Sequence, residues 1–133
     1  MSNATGVPIN HEGDIISARQ LGRELSIEAG FSGSDLTLIA TAISEVARNI
    51  LTYAKRGEIL LEVVHLQGRN GIAIIAKDEG PGILNIELAM KDGYSTGKSL
   101  GLGLPGAKRL MDEFDIASTA GIGTTITMKK WAP

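Results

Sequence analysis

The segment from Asp78 to Gly82, which reads Asp-Glu-Gly-Pro-Gly, combines an acidic side chain with two closely spaced glycines. It follows the apolar run Ile72 to Ala76, which is typical of a buried strand. A carboxylate at the end of such a strand needs hydrogen-bond partners or a ligand, because burying an unpaired charge is unfavourable. The glycines allow a sharp turn and a close approach to the backbone. By itself the pattern is equally typical of an ordinary turn, so other residues must decide.

A second pair of polar side chains, Glu45 and Asn49, lies one helical turn apart within a predicted helix that runs from Ser34, as its N-cap, to about Tyr53. The expected core stripe of this helix is Leu36, Ile39, Ala40, Ile43, Val46, Ala47 and Ile50. The opposite face is small and nearly uncharged, and it contains Leu38, Thr41, Ala42, Glu45, Asn49 and Thr52. We therefore expect this face to be covered and to form part of a site. The alternatives are an ion pair of Glu45 with Arg48 and a backbone hydrogen bond of Asn49.

The segment 93–104 contains two serines, a threonine, a lysine and four glycines, a composition suited to phosphate binding. Pro105 follows at a position that favours the first turn of a helix, which we expect to run to about Glu113. Its expected core face is Leu104, Ala107, Leu110, Met111 and Phe114. The free N–H groups and positive dipole at the start of this helix would face an anion. The segment from Gly93 to Ser99 reads Gly-x-x-x-Gly-Lys-Ser, with one residue fewer between its glycines than a P-loop has. No strand directly precedes it, so a P-loop is not expected.

Composition limits the class of protein. The 133 residues suffice for one domain, 1–133, and the net charge of −2 gives no basic footprint for nucleic acid. There is no cysteine for a disulfide or a thiolate site, and His11 and His65 are too far apart in sequence to suggest a metal site. No apolar run reaches membrane-spanning length, and Met1 to Val7 lacks the layout of a secretion signal, so we expect a cytoplasmic protein without membrane partners.

The remaining elements must position these residues. Periodicity predicts an edge strand from Thr5 to Ile9, a helix from Glu12 to Ala29 and a short helix from Ile86 to Lys91. It also predicts two hairpins. The first pairs Glu58 to Leu66 with Ile72 to Lys77 around a turn at Gln67 to Gly71, and the second pairs Asp115 to Thr119 with Thr124 to Trp131. Alternation along the strands turns Asp78 and Thr124 toward the core. The expected fold is an α+β two-layer sandwich, with helices packed on one face of a mixed, mostly antiparallel sheet of four or five strands.

Two apolar surfaces lie outside this core. The first helix should bury Ile15, Ala18, Leu21, Leu25 and Ala29. Ile16 and Ile27 fall off that face, either as scattered surface residues or as a contact patch for a partner. The back of the sheet, with Leu60, Val64, Leu66 and Ile75, is also apolar. Either the N-terminal segment covers it or it docks a protein.

Four motifs follow one another along the chain, namely Glu45-x-x-x-Asn49 on a helix, Asp78-x-Gly80-x-Gly82 after a strand, Gly101-x-Gly103 at a helix start and Gly123-Thr124 in a hairpin. Their order and placement resemble the Bergerat nucleotide-binding fold of the GHKL superfamily, which includes gyrase, Hsp90, histidine kinases and MutL. The resemblance covers almost the whole chain. The runs 18–22, 41–49 and 104–114 resemble in particular the stressosome switch serine/threonine kinases, the RsbT type, which are related to anti-sigma factor kinases.

The resemblance implies a site for ATP and Mg²⁺. Asp78 would accept the exocyclic amine of adenine, with Thr124 supporting that contact directly or through water. Gly80 and Gly82 would let the backbone lie against the purine.

The same resemblance assigns roles around the phosphates. Asn49 would ligate Mg²⁺ through its side-chain oxygen, and Glu45 would take the proton from the attacking hydroxyl. The phosphates would be cradled by Gly101, Leu102, Gly103 and Leu104. Lys98 is a candidate for steadying the γ-phosphate, and a solvated loop lysine is the equal alternative.

The implied partners are STAS-domain stressosome proteins as substrate and scaffold, and a PP2C-type phosphatase that the released kinase activates. The alternatives are an anti-sigma factor kinase that holds a sigma factor, and a binding module with a vestigial nucleotide site, against which Glu45 argues. These 133 residues leave no room for the dimerising helices of a histidine kinase or the transducer domain of a clamp ATPase. The short segment between Gly82 and Gly101 leaves no room for a long lid, so we expect modest ATP affinity or a site that the bound substrate protein completes.

Overall fold

The structure is a computed structural model that describes residues 4–82, 90 and 103–133. In chain order the elements are β1 (Thr5–Ile9), α1 (Gly13–Ala29), α2 (Ser34–Tyr53), β2 (Gly57–Leu66), β3 (Arg69–Asp78), α3 (Gly103–Leu110), β4 (Glu113–Thr119) and β5 (Gly123–Trp131). The helix predicted over Ile86 to Lys91 lies outside the described residues. None of the described helices is long and apolar enough to cross a membrane.

The five strands form one sheet in the order β1-β2-β3-β5-β4, with α1, α2 and α3 packed on one face. The two-layer α+β fold is therefore confirmed. Each of the four described pairings is antiparallel, in agreement with the mostly antiparallel sheet that was expected, and none of these four is parallel. The physical reason is topological: β3 and β4 run in the same direction, but β5 inserts between them and pairs with both.

The core lies between this sheet and α2. Its largest fully buried side chains are Ile39, Ile43, Val46, Ile50, Ile59, Leu61, Ile72, Ile74, Ile126 and Met128, together with Ile9. Because these alternate along the strands and repeat at helical spacing along α2, they lock the register of the sheet and the rotation of the helix. The last residue of β3, Asp78, and the second residue of β5, Thr124, thereby come to face the helices.

The bounds of α2 agree with the prediction, but its cap does not. Gly33 is the N-cap, with a φ of 59°, and Ser34 is the first helical residue without a side-chain cap hydrogen bond. A glycine adopts this positive φ readily, so Ser34 is drawn into the helix. The expected cover of the uncharged face is present, because α3 packs against α2 and both Ala42 and Glu45 are buried.

The third helix is shorter than predicted. It ends at Leu110 rather than at Glu113, and Phe114 lies in β4 opposite Met128. Two contacts end the helix. The Lys130 ammonium donates to the Leu110 carbonyl at 3.0 Å, and the Asp112 N–H donates to the carbonyl of Lys129 at 3.0 Å, which starts the pairing of β4 with β5.

The first hairpin is confirmed with a shorter turn. Arg69 to Gly71 belong to β3, so only Gln67 and Gly68 connect the strands, with φ values of 52° and 77°. Two residues with positive φ match the twist of an antiparallel hairpin, and a Gly at the second position is typical of this turn.

Both apolar surfaces remain uncovered in the described part of the chain. Ile16 and Ile27 are 58% and 53% exposed. On the back of the sheet Leu66 is 58% exposed and Leu60, Val64 and Ile75 are half-buried. The described N-terminal segment extends the sheet edge as β1 beside β2 and does not cover this back face.

Candidate active site

Asp78 is the last residue of β3 and is half-buried. It lies opposite Gly57 of β2 and opposite Thr124 of β5. Its Oδ1 accepts a hydrogen bond of 2.9 Å from the N–H of Gly80. This is a local turn in which an aspartate side chain organises the backbone two residues ahead. The turn fixes the direction of the carboxylate, and among the described residues the Asp78 carboxylate has no other hydrogen-bond partner. A ligand can therefore still be bound by its second oxygen.

The glycines beside Asp78 have structural reasons to be glycines. A Cβ on Gly80 would lie 2.5 Å from the Cβ of Ala54 at the end of α2. Gly82 has a φ of 78°, and a Cβ there would collide with the carbonyl of Thr119 in the second hairpin. The segment 78–82 is thus held between the end of α2 and the second hairpin, which leaves the contact of these glycines with a purine as a prediction.

Gly123 makes the closest of these contacts. Its φ is 151°, and a Cβ would collide with the backbone carbonyl of Asp78. The strand that carries Thr124 is therefore pressed directly against the end of the strand that carries Asp78. Sequence reasoning identified Thr124 as a site candidate but did not predict that Gly123 packs against Asp78. That contact depends on the order of the strands in the sheet.

Thr124 is 5% exposed and faces the core, as predicted. Its hydroxyl lies 2.8 Å from the hydroxyl of Ser118, the residue opposite it on β4. Sequence reasoning missed Ser118. The available signal was the short Ala120 to Ile122 connection, since pairing Thr119 with Gly123 places Ser118 opposite Thr124.

Glu45 is 6% exposed, in the middle of α2. Its Oε1 lies 3.9 Å from Nη1 of Arg48. Burial raises the pKa of Glu45, because desolvation disfavours the charged form, while the Arg48 guanidinium and the backbone N–H of Gly103, the first residue of α3, partly oppose this. The alternative ion pair with Arg48 therefore exists, but it is long and half-exposed, and such pairs contribute little.

Asn49 is half-buried one turn after Glu45. Within the described ranges its side chain makes no hydrogen bond, so the alternative of a backbone-bonded asparagine is not observed there. The amide oxygen fits a hard cation that keeps several waters, as Mg²⁺ does. The described residues contain no group of three or more His, Cys, Asp or Glu side chains that could hold a metal ion. A cation here would be bound by Asn49, water and the phosphates of a ligand.

The glycine-rich segment is only partly described. Gly103, with a φ of 57°, and Leu104, which is 4% exposed, form the first turn of α3. Lys98, Gly101 and Leu102 lie outside the described residues. The described half of the motif lies close to Glu45, because α3 packs against α2 and the Gly103 N–H favours the charged form of that carboxylate. The Glu45–Asn49 face and the start of α3 are thus neighbours.

Comparison with known proteins identifies the family to which the chain belongs. Residues 11–130 match the family model of the histidine kinase-like ATPase domain. The chain is 53% identical over 131 residues to the serine/threonine-protein kinase RsbT of Bacillus subtilis strain 168, with 98% of each chain covered. It is 33% identical over 97 residues to the anti-sigma F factor of Thermoanaerobacter sp. strain X514, covering 70% of this chain and 68% of that protein.

A solved structure shows the same fold. The crystal structure of the RsbU and RsbW domains of a Mycobacterium tuberculosis protein aligns with a TM-score of 0.63 and 22% identity, covering 98% of this chain and 33% of that one. At this identity the likeness concerns the fold alone. The family match and the near full-length relative go further: the chain belongs to the family of histidine kinase-like ATPase domains, and within that family it is a protein serine/threonine kinase.

Proposed function

We propose that residues 1–133 form one kinase domain that transfers the γ-phosphoryl group of ATP to a serine or threonine of STAS-domain stressosome proteins in the cytoplasm. When released from that scaffold, the same domain activates a PP2C-type phosphatase. The proposal is supported by the 53% identity to a named serine/threonine-protein kinase over nearly the full length of both chains. It is also supported by a site that brings a buried acid to the start of a helix.

The observation that carries the proposal is the burial of the Glu45 carboxylate on the side of α2 where α3 packs, close to the start of α3. It places a proton acceptor beside the start of α3, where the free N–H groups of the first helical turn attract phosphate. Because burial raises the pKa of Glu45, its basicity is closer to the value that general-base catalysis at neutral pH requires. In the proposed step, the substrate hydroxyl oxygen forms a bond to the γ-phosphorus. The bond to the bridging oxygen breaks, ADP leaves and the proton passes to Glu45.

The other residues bind and orient the nucleotide. Asn49 would hold Mg²⁺, which neutralises charge on the phosphates when it is bound. Gly101, Leu102, Gly103 and Leu104 would cradle those phosphates, with Lys98 beside the γ-phosphate. Asp78 would accept the adenine amine with help from Thr124, while Gly80 and Gly82 would lie along the purine. Positioning and charge stabilisation dominate phosphoryl transfer, so one base and one metal ligand suffice.

The test is transfer of label from γ-³²P-ATP, in the presence of Mg²⁺, to a STAS-domain stressosome protein. We expect label on the scaffold with the wild-type chain and a loss of about 100-fold or more with Glu45→Gln, because the amide cannot accept the proton. Glu24→Gln, an exposed position on α1, is the matched control and should retain full activity. Unchanged labelling with Glu45→Gln would contradict the assignment of the base.

The second candidate function is an anti-sigma factor kinase. It is favoured by the anti-sigma F factor relative, at lower identity and over 70% of the chain. Retention of a sigma factor by the immobilised chain, without labelling of the STAS protein, would favour this candidate. Absence of both labelling and nucleotide binding would favour a binding module with a vestigial site.

A further inference from the structure

Three oxygen atoms meet at the hairpin between β4 and β5. The Ser118 hydroxyl lies 2.8 Å from the Thr124 hydroxyl and 3.2 Å from the Gly123 carbonyl oxygen. Thr124 is 5% exposed and Ser118 is half-buried, so both contacts are shielded from bulk water. The sheet register pairs Ser118 with Thr124 on one side and Thr124 with Asp78 on the other.

The order of donors in this group follows from their chemistry. Each hydroxyl has one proton, and a carbonyl oxygen only accepts. The contact of Ser118 with the Gly123 carbonyl therefore uses the Ser118 proton. Both contacts are hydrogen bonds only when Thr124 donates its proton to Ser118. The Thr124 hydroxyl then has lone pairs, and no proton, for a ligand.

Thr124 shares its face of the sheet with Asp78. Directly opposite residues of an antiparallel pair have Cβ atoms about 5 Å apart, so one ligand edge can contact both side chains. An ionised carboxylate also only accepts hydrogen bonds. The two side chains consequently present acceptors side by side, and the preferred ligand edge is one that donates. At position 6 of a purine, adenine has an amine that donates, whereas guanine and hypoxanthine have an oxygen that accepts.

We propose that Ser118 is a specificity-determining residue that acts through Thr124. By taking the Thr124 proton, Ser118 holds that hydroxyl as an acceptor and selects 6-amino purines against 6-oxo purines. Ser118 is a positioning residue, because Thr124 is the group that would face the base. The inference rests on the proposed nucleotide site at Asp78.

The experiment compares the dissociation constants of ATP and inosine triphosphate, measured by calorimetry on the full chain with Mg²⁺. In Ser118→Ala the Thr124 proton becomes available to a 6-oxo group. We expect the ratio of the inosine triphosphate constant to the ATP constant to fall by about fivefold to tenfold, the range of one hydrogen bond of ordinary strength. Ser118→Thr, which keeps the hydroxyl, should retain the wild-type ratio, and so should Thr119→Ala at the exposed neighbouring position.

The ratio separates this role from a structural one. If Ser118 only stabilises the hairpin, Ser118→Ala weakens both nucleotides equally, the ratio stays at the wild-type value and the inference is overturned. Thermal melting of each variant establishes that the compared proteins are folded. If the wild-type chain binds neither nucleotide, the proposed function itself fails. A wild-type chain that prefers ATP, with the same ratio in Ser118→Ala, overturns the Ser118 inference alone.

Discussion

The two ends of the candidate site are built in different ways. The sheet end, formed by residues 78–82 with Thr124, is held by backbone atoms in contact. Gly80 packs on Ala54, and Gly123 packs on the Asp78 carbonyl. The helix end, formed by Glu45, Asn49 and Gly103, consists of side chains on α2 that face the start of α3. One end thus depends on the positions of backbone atoms and the other on the chemistry of side-chain oxygens.

We expect this difference to separate effects on folding from effects on catalysis. At the helix end, Asn49 can be exchanged with little change in packing, since it is only half-buried and has no hydrogen-bond partner among the described residues. Any side chain added at the sheet end must displace backbone. We therefore expect substitutions at the sheet end to lower the free energy of unfolding and substitutions at the helix end to lower the rate of transfer.

The largest expected effect is at Gly123. Gly123→Ala places a methyl group against the Asp78 carbonyl at a φ of 151°, and we expect it to lower the free energy of unfolding by about 3 kcal/mol or more. Urea denaturation measures this. The matched control is Gly121→Ala, which also has a positive φ of 79° but open space around it, and it should lose only about 1 kcal/mol. Equal losses of unfolding free energy in both variants would show that the contact of Gly123 with Asp78 adds nothing to the cost of the positive φ. The sheet end would then not be held by that contact.

The next effect is at Asn49. Asn49→Ala should lower phosphoryl transfer by about 100-fold or more through loss of the metal ligand, with an unchanged melting temperature. Thr52→Ala, exposed on the same face of α2, should leave both quantities unchanged. Binding of Mn²⁺ in the presence of ATP, followed by electron paramagnetic resonance, tests the ligand role independently of turnover. Normal transfer by Asn49→Ala would refute it.

Burial of Glu45 at the helix end should also lower the free energy of unfolding at neutral pH. Burial raises the pKa of Glu45, so between its ordinary value of 4.5 and the raised value the folded state binds more protons than the unfolded state. Stability therefore falls as pH rises through this window. Glu45→Gln, which keeps an acceptor for the Gly103 N–H, should melt at a higher temperature than wild type at pH 7, and the difference should vanish below pH 4.5.

Asp14 is a control residue whose pKa shift has the opposite direction to that of Glu45. Hydrogen bonds from the backbone N–H groups of Asn10 and His11 lower the pKa of Asp14. Its contribution to stability is present above its ordinary value of 3.8 and is lost as pH falls through the lowered pKa. Asp14→Asn should therefore melt below wild type at pH 7 and approach it in acid. A lower melting temperature for Glu45→Gln at pH 7 would contradict the interpretation of the buried acid.

The smallest effect concerns a surface outside both ends. A groove of about 360 Å³ lies between α1 and α2, and its lining includes Ile16, Arg19, Arg23 and Leu36. Ile16→Asp should leave ATP binding and melting temperature unchanged and lower labelling of the STAS protein about threefold to tenfold, if this apolar contact helps to dock it. Ile27→Asp, equally exposed but outside the groove lining, is the control. Equal labelling by both variants would identify Ile16 as a scattered surface residue.

Sequence patterns sufficed where one local rule applied. The uninterrupted apolar stripe of α2 defined its bounds, and strand alternation turned Asp78 and Thr124 inward. Local rules failed where a distant strand decides. Phe114 continues the helical pattern of apolar residues, but it lies in β4, where its backbone pairs with Met128 of β5. A helix cap was assigned to Ser34 because serine is a favoured cap, although the glycine before it adopts the required conformation.

The site shows the same division. That Glu45 and Asn49 share a face of α2 could be predicted from their spacing, since an i, i+4 pair does so wherever the helix lies; their roles stay predictions. Ser118 and the contact between Gly80 and Ala54 could not be predicted, because they depend on which strands and helix ends meet. The packing reasons for Gly82 and Gly123 are likewise tertiary. Their carbonyl neighbours lie about 37 residues and 45 residues away in sequence, at Thr119 and Asp78.

The contact of Gly80 with Ala54 has a consequence for which compounds the kinase accepts. Ala54 is five residues beyond Asn49 and nine beyond Glu45, so the helical rise sets axial separations of about 7 Å and 13 Å from that contact. If Asn49 and Glu45 act as proposed, a single rigid helix therefore sets the distance of the metal ligand and the base from the proposed adenine end. A nucleotide bound in the proposed way must span these distances, so we expect competition by adenine nucleotides to depend on the number of phosphates that they carry.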